Sequence, residues 1–430
     1  AARQFGGAFA YYHAPNFGDT ATTFTKAQNF AGPDNFFHSR YGATMGPSLS
    51  WYRKSYYLYY MSGASAIYLE QGFDQFFKPG PGEHPFQLNP LGRITDEFVR
   101  FANRHPDRGS PYTPIAFLLD PAHGWDMTDY PQWALGVSPI NRSDRALREL
   151  FGAAYYPGLV REGEPASGER QAFVPGVFGN IFDVLVADDA HKEAIDSYRA
   201  VVVGGEINWT PAWAKKLEDF VRGGGVVVLN AGQTKGLSMS LLGVREKGQT
   251  GEAHNARCLL PGVTTADLDG GIFRYDRVDL TAAQPLMVTD SDQADPLVTV
   301  NKVGRGKLIF VAVAELLGED ERMPAFVAHL LAHLTSNATP AQVEGDVEYL
   351  VNRNSNGWVV TLLNDNGVYK PQQGMAQADR TATASVTIRL RSQRISSATE
   401  WLTDSKLSVS DGASVQLTIP AGGIAIVELK

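Results

Sequence analysis

The chain has 430 residues, a net charge of −8 and 43% hydrophobic residues, an ordinary balance for a protein of about two to four globular domains. Lys and Arg form no dense cluster, so nucleic acid is not an expected partner. No apolar run of about 18 residues is present, so no membrane span is expected. The single cysteine, Cys258, can form no intrachain disulfide and lacks the companions of a metal site.

The first segment, residues 1–110, alternates strand and helix patterns. The predicted elements are a strand over Gly7–His13, a helix over Ser48–Met61, a strand over Ala64–Leu69 and a helix that begins at Asn89-Pro90. Asn is a good N-cap and Pro suits the first helical turn. These elements form two β–α units in sequence. Aromatic residues crowd into this segment, which suits either a sugar-facing cleft or a barrel wall of large side chains.

The second segment, residues 111–340, contains near-continuous runs of Val, Ile and Leu. The predicted strands are 114–120, 182–186, 200–203, 223–229 and 306–313, and the predicted helices are 211–222 and 323–335. Such strands with helices between them are typical of a parallel sheet covered on both faces. The pattern between about 235 and 300 is mixed and gives no clear prediction.

The third segment, residues 341–430, is β throughout. Short runs separated by turn residues predict strands over 357–363, 384–390, 398–402, 414–419 and 423–429. Short strands at this spacing indicate a C-terminal Ig-like β-sandwich.

With the three segments in this order, the chain resembles the C-terminal part of multidomain clan A (TIM-barrel) glycoside hydrolases of the β-galactosidase-like architecture. The stretches that carry the resemblance are SWYRKSYYLYYMSGASAIYLEQGF (50–73), LNPLGRITDEFVRF (88–101), YRAVVVGGEINWT to GGGVVVLNAG (198–232) and LTIPAGGIAIVEL (417–429). The resemblance implies the last β/α units of a TIM-like barrel over 1–110, a flavodoxin-like or glutamine-amidotransferase-like domain over 111–340, and a sandwich over 341–430.

A complete barrel of this kind needs eight β–α units, typically about 250 residues. The first segment holds about two units, so about six are missing. We therefore expect the N-terminal strands on a second chain, or lost, or a different fold. The chain opens with Ala1-Ala2-Arg3 rather than Met, which implies a trimmed or partial chain. An exported mature protein, extracellular or periplasmic, is one way to obtain such a chain. In the resembled family the α/β domain often supplies an oligomer contact, so a homo-oligomer is expected.

Glycosidases place two carboxylates on either side of the scissile bond. The candidate for one of them is Glu70, which follows a predicted strand at the end where barrel enzymes hold functional groups. A structural role, in which Glu70 pairs with Arg53 or Arg40, is the alternative. By the family pattern the nucleophile lies on the seventh strand, whereas Glu70 follows the eighth, so substrate binding is as plausible as catalysis. Residues expected to frame a sugar are His13, Asn16, Asp19, His38, Arg40, Trp51, Tyr68, Gln71 and Phe73.

Other motifs in the second segment predict little chemistry. An amidotransferase needs a Cys at a strand-to-helix turn, and Asn230-Ala231-Gly232 stands there instead. Gly204-Gly205 lacks the spacing of a nucleotide site, and His329 and His333 lack the Glu of a zinc motif. The Asp-rich 290–295 stretch lacks the Gly and Glu of a calcium loop. No cofactor and no metal are therefore expected.

Two functions follow from these observations. The first is a glycoside hydrolase, or a portion of one, that acts on oligo- or polysaccharide by carboxylate catalysis. The second is a non-catalytic protein of the same architecture that binds carbohydrate or assembles a larger structure.

Overall fold

The computed structural model describes part of the chain. The described residues are 12–13, 53, 56–57, 60–61, 63, 68–69, 76–82, 85–122, 141–155, 182–260, 271–364, 368–369, 377–378, 381–391 and 393–430. Two compact units divide the chain. One contains Thr113–Ala153 and Phe182–Ala338, and the other contains Ala8–Tyr112 and Thr339–Lys430.

The N-terminal part of the second unit contains a parallel strand pair and a capped helix. The elements are β1 (Tyr12–His13), β2 (Tyr68–Leu69), β3 (Phe77–Pro79), β4 (Phe86–Leu88), α1 (Pro90–Arg104) and β5 (Ser110–Pro111). Strands β1 and β2 are parallel, with Tyr12 opposite Tyr68 and His13 opposite Leu69. Helix α1 begins as predicted, because the Asn89 side chain accepts a hydrogen bond from the Gly92 N–H at 2.8 Å.

Helical residues between β1 and β2 share one face. Arg53, Tyr56, Tyr57, Tyr60 and Met61 recur at spacings of three and four, which brings them onto one stripe of a helix. Tyr56, Tyr57 and Met61 are at most 3% exposed. The helix predicted here is thus confirmed at the described positions.

The tyrosines of this stripe belong to a packed core. Tyr57 contacts Phe98 and Phe101 of α1 edge-to-face, with ring centroids 5.5 and 4.9 Å apart. The same cluster includes Trp401 and Ile426 from the C-terminal β region. Part of the aromatic crowding in the sequence therefore stabilises a core and does not line a cleft, since buried ring pairs of this geometry add to the hydrophobic gain.

The other unit is an α/β unit built on one mixed sheet. Its elements are β6 (Ile115–Leu119), α2 (Arg142–Tyr155), β7 (Phe182–Val186), β8 (Ala200–Val203), α3 (Pro211–Gly223), β9 (Val226–Asn230), α4 (Met239–Leu242), β10 (Val244–Ala253), β11 (Ala256–Cys258), β12 (Phe273–Leu280), β13 (Gln284–Thr289), β14 (Pro296–Val303), β15 (Gly306–Val311) and α5 (Ala325–Ala338). A 3₁₀ helix over Asp189–Ser197 connects β7 to β8.

The sheet has the order β11-β13-β14-β15-β9-β8-β6-β7. Strands β7, β6, β8, β9 and β15 are mutually parallel, whereas β14, β13 and β11 extend the sheet in antiparallel fashion. Along the chain, the parallel strands follow the order 2-1-3-4-5 that flavodoxin-like sheets have. The predicted parallel sheet is confirmed, and its strands β6 and β8 are buried at every residue.

The stretch that gave no clear sequence prediction forms α4 and strands β10 to β14. Strand β10 pairs with β12 in a separate two-stranded sheet, and most of β10 is exposed. Its pairing also shifts register between Glu246 and Thr250. An exposed strand with a bulge lacks the apolar alternation from which strands are predicted.

The C-terminal part of the second unit consists of antiparallel sheets. Its strands are β16 (Ala341–Glu344), β17 (Glu348–Arg353), β18 (Trp358–Leu363), β19 (Val368–Tyr369), β20 (Gln377–Ala378), β21 (Ala384–Leu390), β22 (Ala398–Glu400), β23 (Ser405–Leu407), β24 (Val409–Ser410), β25 (Ser414–Ile419) and β26 (Ile424–Leu429). One sheet has the order β16-β21-β25-β24, and another has β23-β22-β26-β18-β17-β5.

The β region and the N-terminal segment of this unit are joined by hydrogen bonds. Strand β5 pairs with the end of β17. The buried Asn352 side chain donates to the Met61 carbonyl at 2.8 Å and to the Arg108 carbonyl at 3.1 Å. Among the described residues, no helix is long and apolar enough to cross a membrane.

Candidate functional site

The carboxyl edge of the parallel strands is the part of the α/β unit where such sheets usually bind ligands. The residues that follow the strands here are Asp120 after β6, Gly204–Glu206 after β8, Asn230–Gln233 at the end of β9 and Ala314–Leu316 after β15.

Asp120 is the carboxylate that ends the first predicted strand of this unit, and it is 8% exposed. Its Oδ2 accepts a hydrogen bond from the Asn208 N–H at 3.0 Å, and its Oδ1 accepts from the Ala122 N–H at 2.9 Å. A buried carboxylate with two backbone donors is compensated for its lost hydration. Asp120 therefore organises the loops after β6 and β8.

The Gly204-Gly205 pair allows helix α2 to approach the sheet closely. A Cβ on Gly204 would lie 2.7 Å from the Leu147 side chain, and one on Gly205 would lie 2.7 Å from Ser143 Oγ. Gly205 also has a φ of +66°, which favours glycine. Ser143 Oγ accepts a hydrogen bond from the Glu206 N–H at 2.5 Å. The first turn of α2 thus occupies the space in which an anion would have to lie.

Asn230 and Gln233 close the turn after β9 by hydrogen bonds to the backbone. Gln233 Nε2 donates to the carbonyls of Val203 at 3.0 Å and Gly205 at 2.6 Å, and its Oε1 accepts from the Asn230 N–H at 3.0 Å. Cys258 lies in β11 and is buried. In an amidotransferase this strand-to-helix turn would carry the nucleophile. Here the side chains of Asn230 and Gln233 occupy the turn and form hydrogen bonds to the backbone.

Glu315 is one of the polar residues at this edge that the sequence did not predict. Its φ is 51° and that of Leu316 is 60°, conformations that non-glycine residues rarely adopt and that cost about 1–3 kcal/mol. Asn230 Oδ1 accepts from the Glu315 N–H at 3.2 Å, and Arg142 Nε donates to Glu315 Oε2 at 2.8 Å. The available signal was weaker than the one at Asp120, because Glu315 stands four residues after Val311, the last residue of β15.

The negative charge of this edge also affects a second carboxyl group, that of Asp276. Burial raises the pKa of Asp276, and the charges of Glu246 and Glu315 raise it further. The backbone N–H of Asp276 donates to the Ala312 carbonyl at 2.8 Å, which brings β12 next to the end of β15. The carboxyl edge is therefore acidic and largely filled by side chains of the chain itself.

His329 and His333 lie four residues apart on α5. Burial lowers the pKa of His333, and the nearby His329 and Lys307 lower it further. Asn337 Nδ2 lies 3.2 Å from His333 Nε2. Within the described ranges, no group of three or more His, Cys, Asp or Glu side chains is arranged to hold a metal ion.

The Asp-rich turn after β13 engages its own neighbours. Asp295 Oδ2 accepts a hydrogen bond from the Tyr275 hydroxyl at 2.7 Å, and Arg277 Nε lies 3.5 Å from the same oxygen. The Asp295 N–H donates to Thr289 Oγ1 at 3.0 Å. These contacts give the turn a structural role.

The predicted sugar site lies mostly outside the described residues. The structure gives only the backbone of His13 and Tyr68, in β1 and β2. The predicted residues outside the described ranges are Asn16, Asp19, His38, Arg40, Trp51, Glu70, Gln71 and Phe73. Their role stays a prediction.

The alternative role for Glu70 is an ion pair with Arg53 or Arg40, and of these two arginines the structure describes Arg53. Arg53, a proposed partner of Glu70, donates through Nη2 to Glu97 Oε2 of α1 at 2.7 Å. This guanidinium therefore already has a carboxylate partner.

No family model matches the chain, and no curated protein matches it. Among solved structures, it is similar to a β-galactosidase from Bacillus circulans sp. alkalophilus, with 17% identity and a TM-score of 0.46. It is also similar to α-L-fucosidase isoenzyme 2 from Paenibacillus thiaminolyticus, with 14% identity and a TM-score of 0.48. An exo-carrageenase GH42 from Bacteroides ovatus is 10% identical, with a TM-score of 0.41.

The matches cover most of this chain but a smaller share of the solved proteins. They cover 79% of this chain and 45% of the β-galactosidase, 79% and 52% for the fucosidase, and 89% and 39% for the carrageenase. The chain thus spans about half the length of these proteins or less. The matched proteins are glycoside hydrolases, the group that the sequence resembles.

Proposed function

We propose that the chain is part of a glycoside hydrolase-like protein that acts on oligo- or polysaccharide by carboxylate catalysis. The observation that carries the proposal is the parallel pairing of β1 with β2, in which His13 lies opposite Leu69. Glu70 is the next residue in the chain after Leu69. Barrel enzymes hold their catalytic groups directly after strands, at the shared carboxyl edge of a parallel pair.

The helical stripe between these strands supports a β–α–β arrangement. Two parallel strands need a crossover of a dozen or more residues, usually a helix. Tyr56, Tyr57 and Met61 provide the buried face of that helix.

The proposed chemistry needs a second carboxylate that faces Glu70 across the sugar. In the resembled architecture it belongs to earlier barrel strands, which a longer form of this protein or a second chain supplies. The proposed protein is extracellular or periplasmic and forms a homo-oligomer, which light scattering at working concentration tests directly. The amidotransferase-like assignment of residues 111–340 belongs to the same proposal.

The test is Glu70→Gln in the complete protein or assembly, assayed on a panel of oligo- and polysaccharides. Loss of a catalytic carboxylate lowers kcat/KM by about 10²- to 10⁴-fold, because proton transfer to or from the reacting oxygen is lost. Glu97→Gln is the matched control: its exposed ion pair with Arg53 contributes little, so its activity stays at the wild-type level.

Other outcomes assign the alternative function. Unchanged turnover in Glu70→Gln removes this residue from catalysis. Glycan binding without turnover in the wild-type assembly identifies a non-catalytic carbohydrate-binding or structural protein.

A further inference from the structure

A groove opens at the opposite, amino edge of the parallel strands. It has a volume of about 870 Å³, within the size range of small-molecule sites. The starts of β8, β9 and β15 form its base, together with β14 and the ends of α3 and α5. We call it the amino-edge groove, and all its lining residues belong to the α/β unit.

Within the described residues, three cations of the amino-edge groove have no carboxylate partner. Arg199, Lys302 and Lys307 line it, and none of them forms an ion pair within the part of the chain that the structure describes. The two carboxylates of the groove are already engaged. Asp219 pairs with Lys215 at 2.6 Å, and Asp196 pairs at 2.6 Å with Lys216, which Glu193 also contacts. The groove therefore has an excess of positive charge.

Two of these cations lie directly opposite each other. Lys302 of β14 and Lys307 of β15 are register partners in an antiparallel pair. Like charges at such positions destabilise a sheet. A bound anion would relieve this repulsion.

The C-termini of two helices offset only part of the positive charge in the groove. Helices α3 and α5 both end at the groove, and each C-terminus carries about half a negative charge. These helix ends carry about one negative charge, and the two carboxylates that share Lys216 leave one more uncompensated. The total of about two is still smaller than the three positive charges of Arg199, Lys302 and Lys307. The lowered pKa of His333, to which the Lys307 charge contributes, is consistent with a positive potential in the groove.

The remaining wall of the groove is apolar. It includes Leu260, Leu286, Val300, Ile309, Leu330 and Leu334. An inorganic ion would leave this wall in contact with water, whereas a ligand with an apolar body would cover it. We propose that the amino-edge groove binds a small organic anion. The acidic group of this ligand contacts Lys302 and Lys307, and its apolar body packs on the apolar wall of the groove.

The proposal is tested by isothermal titration of the full chain with sodium octanoate. We expect saturable one-to-one binding, about tenfold weaker in the double variant Lys302→Met/Lys307→Met, because two exposed charge contacts with the anion are lost. Leu334→Ala is expected to weaken binding about threefold, since it removes apolar contact. The control is Lys235→Met, an exposed lysine outside the groove, which keeps the wild-type affinity.

Two further ligands separate charge from apolar contact. The uncharged 1-octanol and inorganic phosphate should each bind at least about tenfold more weakly than octanoate, because each offers only one of the two contacts. Absence of octanoate binding, equal loss in Lys235→Met, or phosphate binding as tight as that of octanoate would each overturn the proposal.

Thermal melting tests the proposed site a second time and needs no activity assay. In the absence of ligand, the single variant Lys302→Met should melt slightly higher than wild type, since it removes the repulsion across β14 and β15. Saturating octanoate should reverse this order, because only the wild type keeps both lysines for the bound anion. A melting order that octanoate does not change contradicts the proposed site. The test measures binding and not hydrolysis, so its outcome is independent of the role of Glu70.

Discussion

The two edges of the parallel sheet in the α/β unit differ in charge and in filling. The carboxyl edge is acidic, and its space is occupied by Ser143, Gln233 and the Glu315–Arg142 pair. The amino edge is basic and open, with Lys302 and Lys307 free of ion pairs in the described part of the chain. Flavodoxin-like sheets usually bind ligands at the carboxyl edge.

The general rule for such sheets predicts the edge at which a ligand binds, but it does not show whether that edge has room for a ligand. A site needs space as well as position. At the carboxyl edge, two glycines let α2 approach so closely that its first turn takes that space. The hydrogen bonds there satisfy backbone groups, which a ligand would otherwise have to satisfy.

The largest expected effect tests whether the carboxyl edge is filled. Gly205→Val should lower the free energy of unfolding by about 3 kcal/mol, because the added side chain collides with Ser143 and the φ of +66° disfavours a branched residue. Urea unfolding followed by circular dichroism measures this. Gly223→Ala is the control, since its Cβ would meet no atom within 4 Å. Equal stability of Gly205→Val and wild type would show that α2 can withdraw from this edge.

The next effect tests the hydrogen bonds that the Gln233 side chain forms in the turn after β9. Gln233→Ala should cost about 2–3 kcal/mol, because the buried carbonyls of Val203 and Gly205 lose their donor. Chemical denaturation again gives the value. Gln284→Ala, an exposed strand position of the same unit, should change stability by less than about 0.5 kcal/mol. A similar small change in both variants would contradict the structural role of Gln233.

The smallest effect tests the acidity of the carboxyl edge. The folded-state pKa of Asp276 is raised, so this group favours folding when protonated, and that contribution is lost as pH rises through the folded-state pKa. Asp276→Asn should therefore be slightly more stable than wild type at pH 7, by about 0.5 kcal/mol or less because the group is partly exposed.

The pH dependence provides the check on this last prediction. The difference between Asp276→Asn and wild type should vanish below pH 3.8, the ordinary pKa of the carboxyl group. Thermal melting between pH 3 and pH 8 measures it, and Asp292→Asn in the exposed turn serves as the control. A difference that grows at low pH has the wrong sign for a raised pKa.

Elements with strong local patterns could be predicted from the sequence. Asn89-Pro90 predicted the start of α1, and Pro211–Gly223 differs from the predicted 211–222 helix by one residue. The strands over Ala384–Leu390 and Ser414–Ile419 were predicted with their observed bounds. In β21, buried and exposed residues alternate, which is the pattern that identifies a strand with one buried face.

The candidate site was less predictable. Glu315 follows a buried strand, but its left-handed backbone and its pairing with Arg142, 173 residues earlier, depend on packing. The amino-edge groove combines residues from β14, β15, α3 and α5 that have no common motif. The predicted Glu70 site falls outside the described residues and stays a prediction.

The sequence by itself determined the local elements, because caps, turn residues and apolar periodicity act within a few residues of each other. It also determined the order of an N-terminal β–α segment, an α/β segment and a β segment. Only the tertiary structure decided the strand order 2-1-3-4-5, the burial of Tyr56 and Tyr57 against α1, and which edge of the sheet is filled. These depend on contacts between distant residues, and a short stretch of sequence contains no information on the partner it will meet.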